Sequence, residues 1–411
     1  MTPDSSSSSN HAPATNERAS TKGIWAATLV VATFLVCSNL AGFGTYGAVL
    51  AIPALLVLVY RHGAKVSVAF LALVMFAGLH ALNFDGPFFT KQIVGPLAIL
   101  MFAIGMIYTR SVGTSQPVLL AGSFGAAVYA IGNLVISLLT VGFSSTSRFQ
   151  IDVWTSGETS ATVHGALWIP AIGAVPFLMA RTGKLALTGK AAGIAIGVLA
   201  VSYSFTSATR TPILILLLTG AICLIRFGNR KTLIPALIAL TASIGALLAA
   251  SRVLGIRWSE SALLERLSSS DAAELGQDAR FERQALFVEN IWDYSDGGLL
   301  FRSSYGYVHN IVLDEIDSAS ILPAIFLAVF IAVTVVTAIT QTRGPAGPDA
   351  INVLVFGLTV ALVTSFMIEP TLEAAHISFF VFCVLAGALT GFAKTKRFSQ
   401  VDGVRHGHRL A

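Results

Sequence analysis

Along the chain, apolar runs alternate with short polar breaks, and the apolar runs are the larger share. Twelve can be marked, at about 24–42, 45–60, 66–82, 92–108, 117–142, 161–180, 191–207, 211–227, 232–250, 319–341, 350–367 and 375–392. Most approach the roughly 17–25 residues with which an α-helix crosses a hydrocarbon layer about 30 Å thick. The pattern therefore predicts an all-α, polytopic membrane helix bundle of about 12 transmembrane helices. Residues 24–250 hold the first nine spans and 319–392 the last three. Between them, 251–318 is a larger polar segment on one side of the membrane. The polar, Ser-rich opening (1–23) and the end (393–411) read as tails, the first too poor in apolar residues to fold.

Composition supports this layout. Hydrophobic residues make up 55% of the 411 and charged residues only 11%, against roughly 25% charged in a soluble domain. Mean hydropathy is +0.76. The net charge of +5 is spread over short loops rather than gathered into a patch, so a nucleic-acid partner is not expected. Cys37, Cys223 and Cys383 all fall inside apolar runs with no metal-type spacing, and read as packing residues. With the N-terminus in the cytoplasm, 17 lysines and arginines fall on inner loops and 9 on outer ones, while 17 of the 21 carboxylates fall outside. That bias places both termini in the cytoplasm. The large segment then lies outside.

Within that segment, "DARFERQALFVENIWDY" puts Phe281, Ala285, Val288 and Trp292 on one face of a helix that Asp278 can cap. The face can meet lipid or the bundle. Three outer residues carry possible chemistry. Arg210, in "FTSATRTPILILLL", stands where Pro212 can open a span, against the positive-inside bias. It is either an end-anchor or a cation held for an anionic head group, with Ser207, Thr209 and Thr211 beside it. Arg280 begins the amphipathic helix. His309, in "SYGYVHNIVLDEID", has a side chain suited to taking a proton near neutral pH, and it could begin the helix that becomes span ten.

Taken together, these stretches resemble the O-antigen ligase and O-antigen polymerase superfamily, integral membrane glycosyltransferases that use polyprenyl-diphosphate-linked glycans. "SATRTPILILLL" is similar to that family's Ser-x-Ser-Arg-like stretch opening a span. "ARFERQALFVENIW" is similar to its arginine followed by an aromatic-rich helix, and "HNIVLDEIDSASILPAIF" to its His-Asn motif before the next span. Asp317 stands where the family usually has Glu, Ala319 where Gly is typical, and the glycine run before His-Asn is reduced to "SDGGLLFRSSYG". The resemblance covers about residues 200–340.

What the resemblance implies is a transfer of glycan from undecaprenyl diphosphate to a sugar hydroxyl at the periplasmic face of a bacterial inner membrane. Arg210 and Arg280 would hold the diphosphate and His309 would act as general base. Asn310 or Asp317 would orient that base or bind sugar, and Arg283 and Tyr305 are further substrate-binding candidates. The acceptor would be another glycan or a lipid A core, with chain-length or export proteins as further partners. No Asp-x-Asp or His-Glu-x-x-His motif is present on the outer side, so neither a metal nor another cofactor is expected. Outer-loop residues Arg148, Asp152, Trp154, Glu158, Glu369, Glu373 and His376 are lesser candidates, and His80 and His164 lie toward the same side. The competing reading is a twelve-helix secondary transporter or a lipid-linked glycan flippase. Against it, ionisable residues gather at the outer edge, whereas carriers place them near the midplane.

Overall fold

A computed structural model describes residues 14–42, 44–85, 90–141, 149–183, 185–228, 279–343, 350–374 and 376–392. Its helices, single short turns aside, are α1 (Ala14–Ser38), α2 (Ala51–His62), α3 (Val68–Asn83), α4 (Gly95–Val112), α5 (Gln116–Val141), α6 (Ala161–Leu167), α7 (Ile169–Ala180), α8 (Ala186–Thr206) and α9 (Thr211–Phe227). They continue with α10 (Ala279–Glu289), α11 (Leu300–Tyr305), α12 (Ile311–Ser318), α13 (Ile321–Gln341), α14 (Ala350–Ile368) and α15 (His376–Phe392). A small antiparallel hairpin, β1 (Phe149–Ile151) and β2 (Glu158–Ser160), pairs Gln150 with Thr159. Strands of three residues are too short to show as an alternating pattern, so hydropathy does not predict them.

Among the described residues, six helical stretches are long and apolar enough to cross a membrane: Lys91–Val112, Gln116–Thr140, Ala161–Ala180, Ala186–Thr206, Ile321–Gln341 and Ala350–Ile368. Gly23–Ser38, Ala48–His62, Val68–Asn83, Thr211–Phe227 and His376–Phe392 are shorter apolar helices. The protein is thus a multi-pass helical membrane protein. The apolar run at 232–250 lies outside the described residues, as do 251–278, including Asp278. Helix α1 opens at Ala14, earlier than its apolar part, inside the stretch read as a tail.

Packing centres on α15, buried on all sides from Ile377 to Gly391. A helix apolar all round belongs in such a place. Against it lies α4, close enough that a Cβ on Gly387 would stand 1.9 Å from the Phe102 carbonyl oxygen and one on Gly105 2.1 Å from that of Val384. Helices in lipid gain little from apolar burial and associate through close contact of this kind. The same device joins α7 to α14, where a Cβ on Gly357 would meet Gly173 O at 2.4 Å. Phe330, Phe366, Phe379 and Phe382 fill the interior with edge-on ring contacts. Cys37, Cys223 and Cys383 are buried free thiols, consistent with packing roles.

Helix ends sort to two faces. On the first, Arg226 Nη2 donates to Thr342 O (3.2 Å) and Gln341 Nε2 to Leu389 O (3.0 Å). Arg61, Arg110, Arg181, Lys190 and Arg343 also sit at helix ends or in turns on this face. On the second, Trp154 Nε1 donates to Ser38 O (3.2 Å) and Asp85 N to Ser318 O (3.1 Å). Every described acidic residue from Asp85 to Glu369 belongs to the second face. Helices α10, α11 and α12 cover it.

Candidate active site

The site is built on the end of α14. Carbonyls in the last turn of a helix lack intrahelical partners and carry partial negative charge, so they invite donors and cations. Arg280 Nη1 donates to Ile368 O and to Glu369 Oε1, each at 3.1 Å. One turn along α10, Gln284 Nε2 donates to Met367 O and to His309 O, again at 3.1 Å. Phe287, a further turn on, inserts into a satellite core of Phe301, Val308, Ile316 and Ala324. Helix α10 therefore docks through Arg280, Gln284 and Phe287. The stripe of Phe281 (53% exposed), Ala285, Val288 and Trp292 (77% exposed) faces outward. Among the described residues, the bundle does not cover that stripe.

Arg210 occupies the N-cap position of α9, whose first turn holds Pro212. The tight entry is set by Ala208 in the left-handed region (φ +51°) and by a hydroxyl pair, Ser207 Oγ to Thr209 Oγ1 at 2.8 Å. Next to Arg210, the Thr211 hydroxyl donates to Glu369 Oε1, the oxygen that Arg280 also contacts. Glu369 is 1% exposed and the Arg280 side chain 27%. One buried carboxylate thus links the start of α9 to the start of α10.

His309 follows a turn at Gly306 and is partly buried, with its backbone in the left-handed region at φ +65°. Its neighbour Asn310 caps α12, Oδ1 accepting from Val312 N (3.0 Å) and Leu313 N (3.3 Å), while Nδ2 approaches Met367 Sδ at 3.6 Å. Arg302 lies over the Tyr307 ring at 4.3 Å, and that ring stands 6.3 Å from the His309 imidazole. Tyr305 is half exposed and tilts against Phe301, and Arg283 borders Gly306.

Helix α12 carries three buried carboxylates, and each has its own task. Asp314 accepts from Val308 N at 2.8 Å and Asn310 N at 3.1 Å. Glu315 pairs with His80 Nδ1 at 2.9 Å, tying α12 to α3. Asp317 accepts from Phe301 N (2.9 Å) and Arg302 N (3.2 Å) at the start of α11. Burial pushes the Asp317 carboxyl up, although those amides and the Arg302 charge pull it down. Asp317 thus faces the backbone of α11.

The expectation that His309 begins the helix of span ten is corrected: α12 and α13 are separate helices. In a continuous helix Ile321 N would bond to Asp317 O. Here Leu299 N takes Asp317 O (2.8 Å) and Ile321 N turns to Ser295 O (2.9 Å), with Ser320 at φ +147°. The crossing segment 295–299 interrupts the helix, and Pro323 starts the next one.

Among the lesser candidates, only Glu369 joins this network in the contacts described. Asp152 is buried in the hairpin, bonded by the Tyr129 hydroxyl and by the amides of Trp154 and Thr155 (2.9 and 2.8 Å). Burial raises its pKa, but the bonds from Tyr129, Thr155 and Trp154 outweigh that and hold the carboxyl below its ordinary value. Trp154 is fixed to Ser38, Glu158 lies on β2, and His164 Nε2 pairs with Thr159 Oγ1 at 2.6 Å. His376 opens α15 beside Phe380. Arg148 lies outside the described residues, as does the Glu373 side chain.

The structure therefore brings the Arg210–Thr211 corner, Arg280 and the His309–Asn310 turn onto one helix end, joined through Glu369, Gln284 and Met367. Sequence reasoning missed Thr211 as a contact, Gln284, and Asp314. The signal for Gln284 was its position four residues after Arg280, and for Asp314 its position four residues after a capping Asn. No protein-family model matches the chain, and no curated protein matches it.

Proposed function

We propose that the protein is a membrane glycosyltransferase that moves a glycan from undecaprenyl diphosphate to an acceptor sugar hydroxyl at the outer membrane face, as an O-antigen or exopolysaccharide polymerase or an O-antigen ligase. The observation that carries the reading is the meeting of three segments distant in sequence, those of Arg210, Arg280 and His309, at the end of α14. In the reaction, the acceptor oxygen attacks the anomeric carbon, the bond to diphosphate breaks, and undecaprenyl diphosphate leaves. Negative charge grows on the diphosphate as it does so. Guanidinium forks suit that charge, since they stay protonated and bond phosphate oxygens bidentately. His309 takes the acceptor's proton, a contribution of about 10²–10⁴-fold. Attack opposite the leaving group inverts the anomeric centre.

Membrane topology fits the substrate. About twelve spans with both termini cytoplasmic would put the α10–α12 cap in the periplasm of a bacterial inner membrane, with the donor's tail in lipid. The outward stripe of α10 then rests in the interface. The buried His80–Glu315 pair lies in the last turn of α3, near the helix end, which gives the transporter reading little support. The test is the glycan profile of cells carrying Arg210→Ala, Arg280→Ala or His309→Ala at normal protein abundance. Each should shorten or detach the glycan. Full-length, fully attached glycan in all three overturns the reading.

A further inference from the structure

His309 is held in a backbone conformation that a residue with a Cβ disfavours, at φ +65°. Such a conformation persists only where its surroundings impose it. The two amides that flank His309 both end on one carboxylate: Val308 N on Asp314 Oδ1 and Asn310 N on Asp314 Oδ2. From the other side, Gln284 holds the His309 carbonyl at 3.1 Å. The turn is gripped at three consecutive residues.

Helix α12 does not need this arrangement for its own sake. Asn310 Oδ1 already caps its first amides, and Asp314 N makes an ordinary helical bond to Asn310 O at 2.7 Å. The Asp314 side chain instead reaches back to the turn ahead of the helix. It is buried, and the neighbouring Glu315–His80 pair keeps α12 against α3. Both oxygens are used, each for one side of His309.

We propose that Asp314 is a positioning residue, a two-oxygen clamp that fixes His309 in the left-handed conformation from which its imidazole meets the acceptor hydroxyl. The proposal rests on the transfer reading above. An asparagine at 314 keeps one acceptor oxygen and loses the other, so one flanking amide is released while the helix and the bundle stay as they are. Misplacement of a reacting group by about 1 Å can cost up to about 100-fold in rate.

The test uses the full chain in lipid nanodiscs, with undecaprenyl-diphosphate-linked glycan extracted from the producing cells as donor. Asp314→Asn should bind that donor like the native protein and turn it over between about 10- and 100-fold more slowly. A second background separates clamping from folding. Glycine adopts positive φ without strain, so in His309→Gly, rescued by added imidazole, the clamp has nothing left to hold. There Asp314→Asn should cost less than about twofold, within the spread of uncoupled sites. Native turnover in Asp314→Asn overturns the proposal. So does a parallel loss of donor binding and melting temperature, or an equal cost in both backgrounds. Absence of donor turnover by the native chain overturns the transfer reading itself, and undiminished turnover in His309→Ala overturns the role of His309 as base, whatever Asp314 does.

Discussion

Glu369 joins two of the three converging segments, and its replacement tests that junction. Its Oε1 accepts from the Thr211 hydroxyl and from Arg280 Nη1. Alanine at 369 leaves Thr211, itself buried, without this acceptor, at a cost of about 1–3 kcal/mol. The ion pair with Arg280, whose side chain is 27% exposed, adds about 1 kcal/mol at most once solvent screening is counted. The sum for Glu369→Ala is roughly 1–4 kcal/mol. Glutamine keeps an acceptor oxygen for the Thr211 and Arg280 donors and loses the charge, so at this junction Glu369→Gln should cost about 1 kcal/mol. Thermal unfolding in one detergent should rank native, Gln and Ala in that order of falling midpoint. Glycan transfer should fall in the same order, because Arg280 keeps only the α14 carbonyl among these two contacts. If Glu369→Ala melts and turns over like the native protein, the convergence is not built on this carboxylate.

Three further outcomes are expected. His309→Gly should be more stable than His309→Ala by about 1 kcal/mol, since both lack the ring and only glycine relaxes at positive φ; equal midpoints in chemical denaturation would remove the claim of backbone strain. Gly387→Ala should destabilise the bundle by about 1–3 kcal/mol through overpacking against α4, read as a lower melting midpoint, while Ala at Gly78, where a Cβ meets nothing within 4 Å, should not. Asp152 has a lowered folded pKa, so its stabilisation is complete above the unfolded aspartate range near 3.9 and is lost as pH falls through that range to the folded value. The gap in melting midpoint between the native protein and Asp152→Asn should be constant from pH 7 to about 5 and close below about 4.

The helices were legible because lipid-spanning segments are written as unbroken apolar runs, and α4, α5, α7, α8, α13 and α14 appear where those runs lie. Other features left no such trace. The spacing of Phe281, Ala285 and Val288 predicted the helix α10, which ends at Glu289 before Trp292, but not which side docks. Docking goes instead through Arg280 and Gln284 onto helix-end carbonyls, and polar capping has no hydrophobic period. The break between α12 and α13 depends on Leu299 and Ser295 exchanging bonds with Asp317 and Ile321, contacts that no local pattern records. Glu369 stood only among the lesser candidates because burial of a carboxylate depends on partners far away in the chain. Arg210, Arg280 and His309 stood out in local motifs; the links that join their segments through Glu369 and Gln284 did not.

The central claim is that these three residues act together on a lipid-linked diphosphate. Release of undecaprenyl diphosphate from the extracted glycan donor, measured with the purified full chain and an acceptor glycan, tests it most directly. The account predicts release by the native protein, release lost in His309→Ala with donor still bound, and weakened donor binding in Arg210→Ala and Arg280→Ala. Undiminished release by His309→Ala, or unchanged donor binding in both arginine variants, would contradict it.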